Sequence, residues 1–125
     1  MVSRDEYGLT PETRERLKLA LARSDGAYKW EDVEEAILSD AAQLWTSDEA
    51  AIVTQVRAYP QRAEIHFWLA GGKLDAVIKL SRAVLGAAKR AGISRATLAG
   101  RRGWVRALKD EGWEPSDLVI MERGV

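Results

Sequence analysis

Apolar side chains recur three and four residues apart in four stretches of the chain and every second residue in two, and these two periods separate helices from strands. Thr10-Pro11-Glu12 opens the first helix: Thr offers an N-cap oxygen, Pro fits the first helical position, and Glu suits the positive end of the dipole. Leu17, Ala20 and Leu21 lie on its apolar face, and Ser24-Asp25-Gly26 ends it. A second, shorter helix follows from about Trp30, with Val33, Ala36 and Ile37 on one face and Glu31 and Asp32 in its first turn.

Three strands come next. A short one covers residues 43–46. Residues 51–59 alternate, with Ile52, Thr54 and Val56 facing one way and Val53, Gln55 and Arg57 the other. Tyr59-Pro60-Gln61-Arg62 fits a hairpin loop, since Pro presets the turn dihedral. Residues 64–69 alternate again, placing Ile65, Phe67 and Leu69 opposite Glu64, His66 and Trp68. Strands joined this closely pair antiparallel. Beyond Ala70-Gly71-Gly72, a long helix begins near Leu74; Leu74, Val77, Ile78, Ser81, Val84, Leu85 and Ala88 trace its buried face, and Arg90-Ala91-Gly92 closes it. A strand over 94–99, a helix from Gly100 or Arg101 to about Glu111 capped by Gly112, and a last strand over 118–121 complete the order α-α-β-β-β-α-β-α-β.

The strand-helix-strand unit from residue 64 onward is a crossover, so the strand at 94–99 should run parallel to the one at 64–69. The hairpin before it adds an antiparallel part. A mixed sheet with helices on both faces is the simplest α/β architecture that satisfies both. The 125 residues fit one domain, with residues 1–9 read as a flexible tail, and no repeat or linker divides them. Apolar residues at 46% and charged residues at 30% describe a soluble globular chain. No apolar run is long enough to span a bilayer, so no membrane partner is expected, and the N-terminus lacks a secretory signal pattern. Cysteine is absent and His66 is the sole histidine, which excludes disulfides, thiolate or multi-histidine metal sites and a cysteine nucleophile.

The net charge is zero, yet it is unevenly spread: residues 1–50 carry 12 acidic side chains against 6 basic ones. Residues 73–109 carry ten basic side chains and only Asp75 against them. That asymmetry points to an anionic partner, such as a nucleotide, a nucleic acid or the chain's own acidic half. Solvated helix faces that compensate each other would look the same.

Two segments carry a family resemblance. The block Glu64-Ile65-His66-Phe67-Trp68-Leu69-Ala70-Gly71-Gly72 reads as a central strand with a turn, and Gly100-Arg101-Arg102-Gly103-Trp104-Val105-Arg106-Ala107-Leu108-Lys109-Asp110-Glu111-Gly112-Trp113 as a helix ending in Gly and an aromatic. With the order of elements, they resemble the GNAT acetyltransferase fold without its first strand, over roughly residues 28–122. More narrowly, the set is similar to the small GNAT-like proteins encoded by tailed phages and prophages. The resemblance implies a GNAT-like fold and, for enzymes of the family, acetyl-CoA as cofactor.

The chain departs from the family where the chemistry lies. Family enzymes follow the central strand with a Gln/Arg-x-x-Gly-x-Gly/Ala loop, whose N–H groups and following helix hold the pyrophosphate. Here that region is Leu69-Ala70-Gly71-Gly72-Lys73-Leu74-Asp75. Ala70, Gly71, Gly72 and Lys73 are the candidates for such contacts, but the spacing differs and Asp75 repels a phosphate. A tight turn with an acid suited to the dipole is the reading these residues favour. The resemblance puts the family's general-acid tyrosine at Leu108, which cannot give a proton, and its helix-start Asn near Arg101. Glu64 and His66 share one strand face and are the candidate base pair, although a surface carboxylate beside a histidine is commonplace.

Arg101 and Arg102 sit at a helix start where the dipole disfavours cations; with Arg106 they are candidates for an anion or partner contact. Trp104, Ala107 and Leu108 share a helix face, which favours a core role for Trp104 over base stacking.

The expectation is a non-catalytic GNAT-like accessory protein of a phage or prophage, with no cofactor or metal, in the bacterial host cytoplasm or a virion. It would act through other phage structural proteins or self-association. The alternatives are an acetyl-CoA-dependent N-acetyltransferase with a divergent loop and a nucleic-acid-binding module using residues 73–109.

Overall fold

Thr10 caps the first helix through its own hydroxyl, which accepts from the Thr13 N–H at 3.2 Å. The computed structural model describes residues 8–125. In chain order the helices and strands are α1 (Pro11–Ala22), α2 (Trp30–Leu38), β1 (Gln43–Thr46), β2 (Ala50–Ala58), β3 (Ala63–Gly72), α3 (Leu74–Arg90), β4 (Arg95–Leu98) and α4 (Gly103–Ala107), followed by a 3-10 turn, Lys109–Glu111. Among the described residues no helix is long and apolar enough to cross a membrane.

One four-stranded sheet runs in the order β1-β2-β3-β4. The first two pairings are antiparallel and β3 pairs with β4 in parallel, as the crossover through α3 requires. The hairpin between β2 and β3 is closed by the Tyr59 N–H on the Arg62 carbonyl at 2.8 Å. The sheet separates two apolar clusters. Leu17 of α1, Val33 and Ile37 of α2 meet Ala51, Val53 and Leu69 on one face, where Leu9 is also buried. Val77, Val84 and Ala88 of α3 meet Ala50, Ile52, Ile65 and Phe67 on the other. Burial of Ala51, Ile52 and Val53 in succession marks β2 as a strand covered on both faces. Thr54 lies within it fully buried; its hydroxyl accepts from the Trp45 indole at 2.9 Å and donates to Gln43 Oε1 at 3.0 Å. The relay joins the edge strand to the core through groups that would otherwise be stranded.

Several expectations are corrected. Leu69 does not share a face with Ile65 and Phe67. Val53 pairs with Leu69 and Thr54 with Phe67, so Trp68 is an extra residue in β3, a bulge that reverses the alternation beyond it. Leu74 is half exposed at the first position of α3 instead of joining its buried face. The last helix is shorter than its periodicity implies: α4 begins at Gly103, behind Arg102 with no capping side chain, and ends at Ala107 before the 3-10 turn. Gly112 takes the left-handed cap conformation expected of it, at φ 84°. Residues 118–121 form no strand. Pro115 carries no N–H for a ladder, and the Ser116 hydroxyl holds both the N–H and the carbonyl of Leu118, turning the chain away from β4. Of the expected N-terminal tail, residues 1–7 lie outside the described residues, and Leu9 packs in the core.

Candidate functional site

β3 and β4 hold each other over only four residues, Glu64 with Arg95 through Phe67 with Leu98. β3 then continues to Gly72 while β4 stops, and the bulge at Trp68 falls where the two part. The parting opens a cleft of about 160 Å³ between the strands, walled by Phe67, Leu69, Val77, Trp104 and Trp113. Trp113 meets Phe67 edge-on, with ring centroids 5.3 Å apart, and so fixes one wall. Trp104 is half-buried against the same core, as its helix face implies. Arg23, just past α1, and Arg101, just past β4, are the charged side chains on the rim. No carboxylate, histidine or tyrosine is among the described residues lining it. The cleft can therefore enclose a small apolar group and attract an anion at its mouth; its only hydroxyls among the described lining residues are those of Ser24 and Ser81, which donate to the Leu21 and Ile78 carbonyls.

Of the candidate loop at 70–73, Ala70 lines the cleft, while residues 71–73 are engaged by other parts of the chain. Gly71 and Gly72 are paired in the ladder with Ala51 and Ala50. A Cβ on Gly71 would run into the Arg16 carbonyl of α1, and one on Gly72 into the Glu49 carbonyl. Gly72 also needs its positive φ of 119°. Both glycines thus serve close approach by the protein's own backbone. The Lys73 N–H donates to the Glu49 carbonyl at 3.2 Å, and its ammonium lies 2.7 Å from the Glu49 carboxylate. The side-chain hydrogen bond between that ammonium and carboxylate raises the Lys73 pKa above its ordinary value, with the Glu49 charge adding to it. Asp75 places its carboxylate on the Ala76 N–H at 2.9 Å in the first turn of α3. A CoA pyrophosphate would meet an acid, a lysine already paired with Glu49 and two covered glycines. These residues do not fit that group.

Glu64 and His66 lie apart from the cleft. Register puts Glu64 between Arg57 and Arg95, and His66 between Gln55 and Thr97, whose hydroxyl is 2.9 Å from the His66 Nδ1. Burial lowers the His66 pKa, Arg57 lowers it further, and Glu64 opposes them. The pair shares a face, yet neither side chain lines the opening that begins at Phe67.

The basic stretch does not make one free face. Lys73 is paired with Glu49, and Arg82 grips Glu111 through two bonds of 2.7 and 2.9 Å. The same contact holds the Glu111 carboxyl below its ordinary pKa and raises that of Arg82. Arg101, Arg102 and Arg106 are exposed and form no ion pair among the described residues; of the three, only Arg101 reaches the cleft. Leu108, where the resemblance puts the family's tyrosine, is buried beside the cleft.

Sequence reading missed two features of the site. The bulge at Trp68 leaves no mark except that the neighbouring β2 is apolar on both faces, so strict alternation in β3 had no visible reason to break. The use of both glycines for contact with α1 and the β1–β2 turn joins residues far apart in the chain, which spacing does not reveal.

No family model matches the chain, and no curated protein matches it by sequence. Solved structures do. A protein of Thermus thermophilus, TTHA1254, is 21% identical, with a TM-score of 0.60 over 93% of this chain and 95% of its own. A predicted acetyltransferase with acetyl-CoA from Clostridium acetobutylicum is 9% identical, with a TM-score of 0.69 over 98% of this chain and 92% of its own. A ribosomal-protein-alanine N-acetyltransferase from Brucella melitensis biovar Abortus 2308 is 12% identical, with a TM-score of 0.61 over 90% and 93%. The fold is a GNAT-like acetyltransferase fold, a mixed four-stranded sheet with helices.

Proposed function

We propose that this chain is a GNAT-like protein that works through protein contacts and does not transfer an acyl group. The observation that supports this reading is the state of residues 70–75. Where family enzymes hold the pyrophosphate, this chain packs Gly71 on Arg16 and Gly72 on Glu49, pairs Lys73 with Glu49 and points Asp75 at the helix start. The lack of any carboxylate, imidazole or phenol among the described lining residues argues the same way, since the Ser24 and Ser81 hydroxyls there are both committed to backbone carbonyls. A shared scaffold does not carry activity with it when the chemical parts are missing. A phage or prophage origin rests on the sequence resemblance alone and has no part in the reading.

One observation favours a second reading. The parting of β3 and β4 leaves an apolar cleft with Arg101 and Arg23 at its rim, the kind of opening an acetyl-CoA-dependent N-acetyltransferase would use. Calorimetric titration with acetyl-CoA and with CoA decides between them. No heat up to millimolar ligand is the expected result. Micromolar binding, about −8 kcal/mol, would count against the first reading and revive the second.

A further inference from the structure

The opening between the parted ends of β3 and β4 has an apolar interior and a cationic mouth, and no acid lines it among the described residues. An apolar cavity of roughly 150 Å³ accepts a group the size of benzene. The cleft, at about 160 Å³ between Phe67, Leu69, Val77 and Trp113, has room for one leucine or phenylalanine side chain. Arg23 reaches the rim from behind α1 and Arg101 from behind β4. Both are exposed, and neither forms an ion pair or a side-chain hydrogen bond among the described residues. With the Ser24 and Ser81 hydroxyls held by backbone carbonyls, the charged part of a ligand falls to these two guanidiniums. The facing edges of the two strands carry no ladder partner beyond Phe67 and Leu98, so main-chain groups at the fork are open to another backbone.

We propose that this cleft holds the C-terminal residue of a partner protein, its apolar side chain between the walls and its terminal carboxylate on Arg23 and Arg101. The inference rests on the reading that the protein works through protein contacts, and it names the chemistry of the partner. Three features select that occupant. A C-terminal residue carries its side chain and its carboxylate on one Cα, so an apolar group and an anion arrive together, as the walls and the rim require. The planar fork of arginine matches a carboxylate with two parallel hydrogen bonds, and capture of a terminal carboxylate is a recurring mode of peptide recognition. A ligand that carries phosphates is disfavoured by Asp75 and by the covered glycines 71 and 72, whereas a carboxylate needs no such cradle. Lastly, the residues before a C-terminus bring amides to the open edges at the fork, which a free organic acid does not. Each exposed arginine contact is weak by itself and screened by salt, so the affinity comes from filling the cleft and meeting the charge at once.

Calorimetric titration of the full chain with acetyl-Ala-Ala-Ala-Leu and acetyl-Ala-Ala-Ala-Phe, each with a free carboxylate, is the first test. Tryptophan fluorescence gives a second readout, because Trp68, Trp104 and Trp113 all line the cleft. Saturable binding is expected, weakened on the order of tenfold when the same peptides are amidated and reduced by salt. Arg23→Gln and Arg101→Gln should each weaken the free-acid peptides several-fold and leave the amides unchanged. Both side chains are exposed, so circular dichroism should show an intact fold. No binding up to millimolar peptide, equal binding of acid and amide, or binding indifferent to both variants overturns the proposal. Octanoate separates the source of the carboxylate: if it binds more tightly than either peptide, the occupant is a free acid and the proposal fails. Acetyl-CoA titration reports separately. A protein that binds neither peptide nor acetyl-CoA loses this proposal and keeps the protein-contact reading, while one that binds acetyl-CoA and no peptide loses the proposal and counts against the reading as well.

Discussion

Gly71→Ala separates a glycine kept for packing from a glycine kept for a phosphate. A methyl group there meets the Arg16 carbonyl oxygen, with the carbonyl carbon at 2.9 Å and the Arg16 Cβ at 3.3 Å. These are mostly backbone atoms of a helix that cannot yield easily. Leu17 and Thr13 are buried on either side of Arg16, and the Arg16 guanidinium holds the Asp48 carbonyl at 2.8 Å. Relief requires α1 to slide off β3 and to carry Leu17 out of its contacts. Overpacking of this kind costs about 1–3 kcal/mol, and a backbone obstacle places Gly71→Ala at about 2–3. At roughly 4 °C per kcal/mol for a chain of this length, Tm falls by about 8–12 °C. Thermal and guanidinium unfolding followed by tryptophan fluorescence would measure it. Gly103→Ala is the control: nothing lies within 4 Å of a Cβ there, and the residue starts α4. That variant should be neutral or gain up to about 1 kcal/mol. A Gly71→Ala protein within about 0.5 kcal/mol of the parent, with altered acetyl-CoA affinity, would show that the position serves a ligand and that the packing explanation is wrong.

Three other outcomes are expected. Thr54→Val keeps the buried shape but strips partners from Trp45 and Gln43, which are half-buried and partly reachable by water; about 1–3 kcal/mol should be lost in chemical denaturation, and a Trp45→Phe background should shrink that loss. His66 should titrate below its ordinary 6.5, because burial and then Arg57 outweigh Glu64. The unfolded chain therefore protonates first, so the contribution to stability is complete above about pH 6.5 and declines as pH falls below it; His66→Gln should remove that part of the pH dependence, and proton NMR of the one histidine reads the pKa directly. Trp113→Ala removes the edge-on partner of Phe67 and opens the cleft. As Trp113 is only half-buried, a loss near the lower end of the 3–5 kcal/mol typical of such truncations, about 3 kcal/mol, should appear in thermal unfolding.

The helices and strands were legible wherever a pattern was local. Thr10 caps α1 as its hydroxyl and the following Pro imply, and the alternation over β2 and β3 with the intervening Pro60 turn marks the hairpin. The parallel pairing of β4 followed from the length of the crossover through α3. Leu118, Val119, Ile120 and Met121 have the composition of a strand and form none within the chain, since strand formation needs an edge to pair with and the Ser116 turn directs them away from it. The site was legible mainly by omission: Leu108 and the sequence around Gly71 already lacked a proton donor and a phosphate loop.

Periodicities, caps, the order of elements and the inventory of chemistry follow from the amino-acid order alone, because each depends on side chains within a turn or a strand of one another. Packing in three dimensions settled that Trp68 is a bulge, that Gly71 and Gly72 meet Arg16 and Glu49, and that Glu64 and His66 stand outside the cleft. Those outcomes depend on register and on contacts between residues tens of positions apart. A one-residue shift in register exchanges the faces of a strand, and no local spacing records which register the packed helices select.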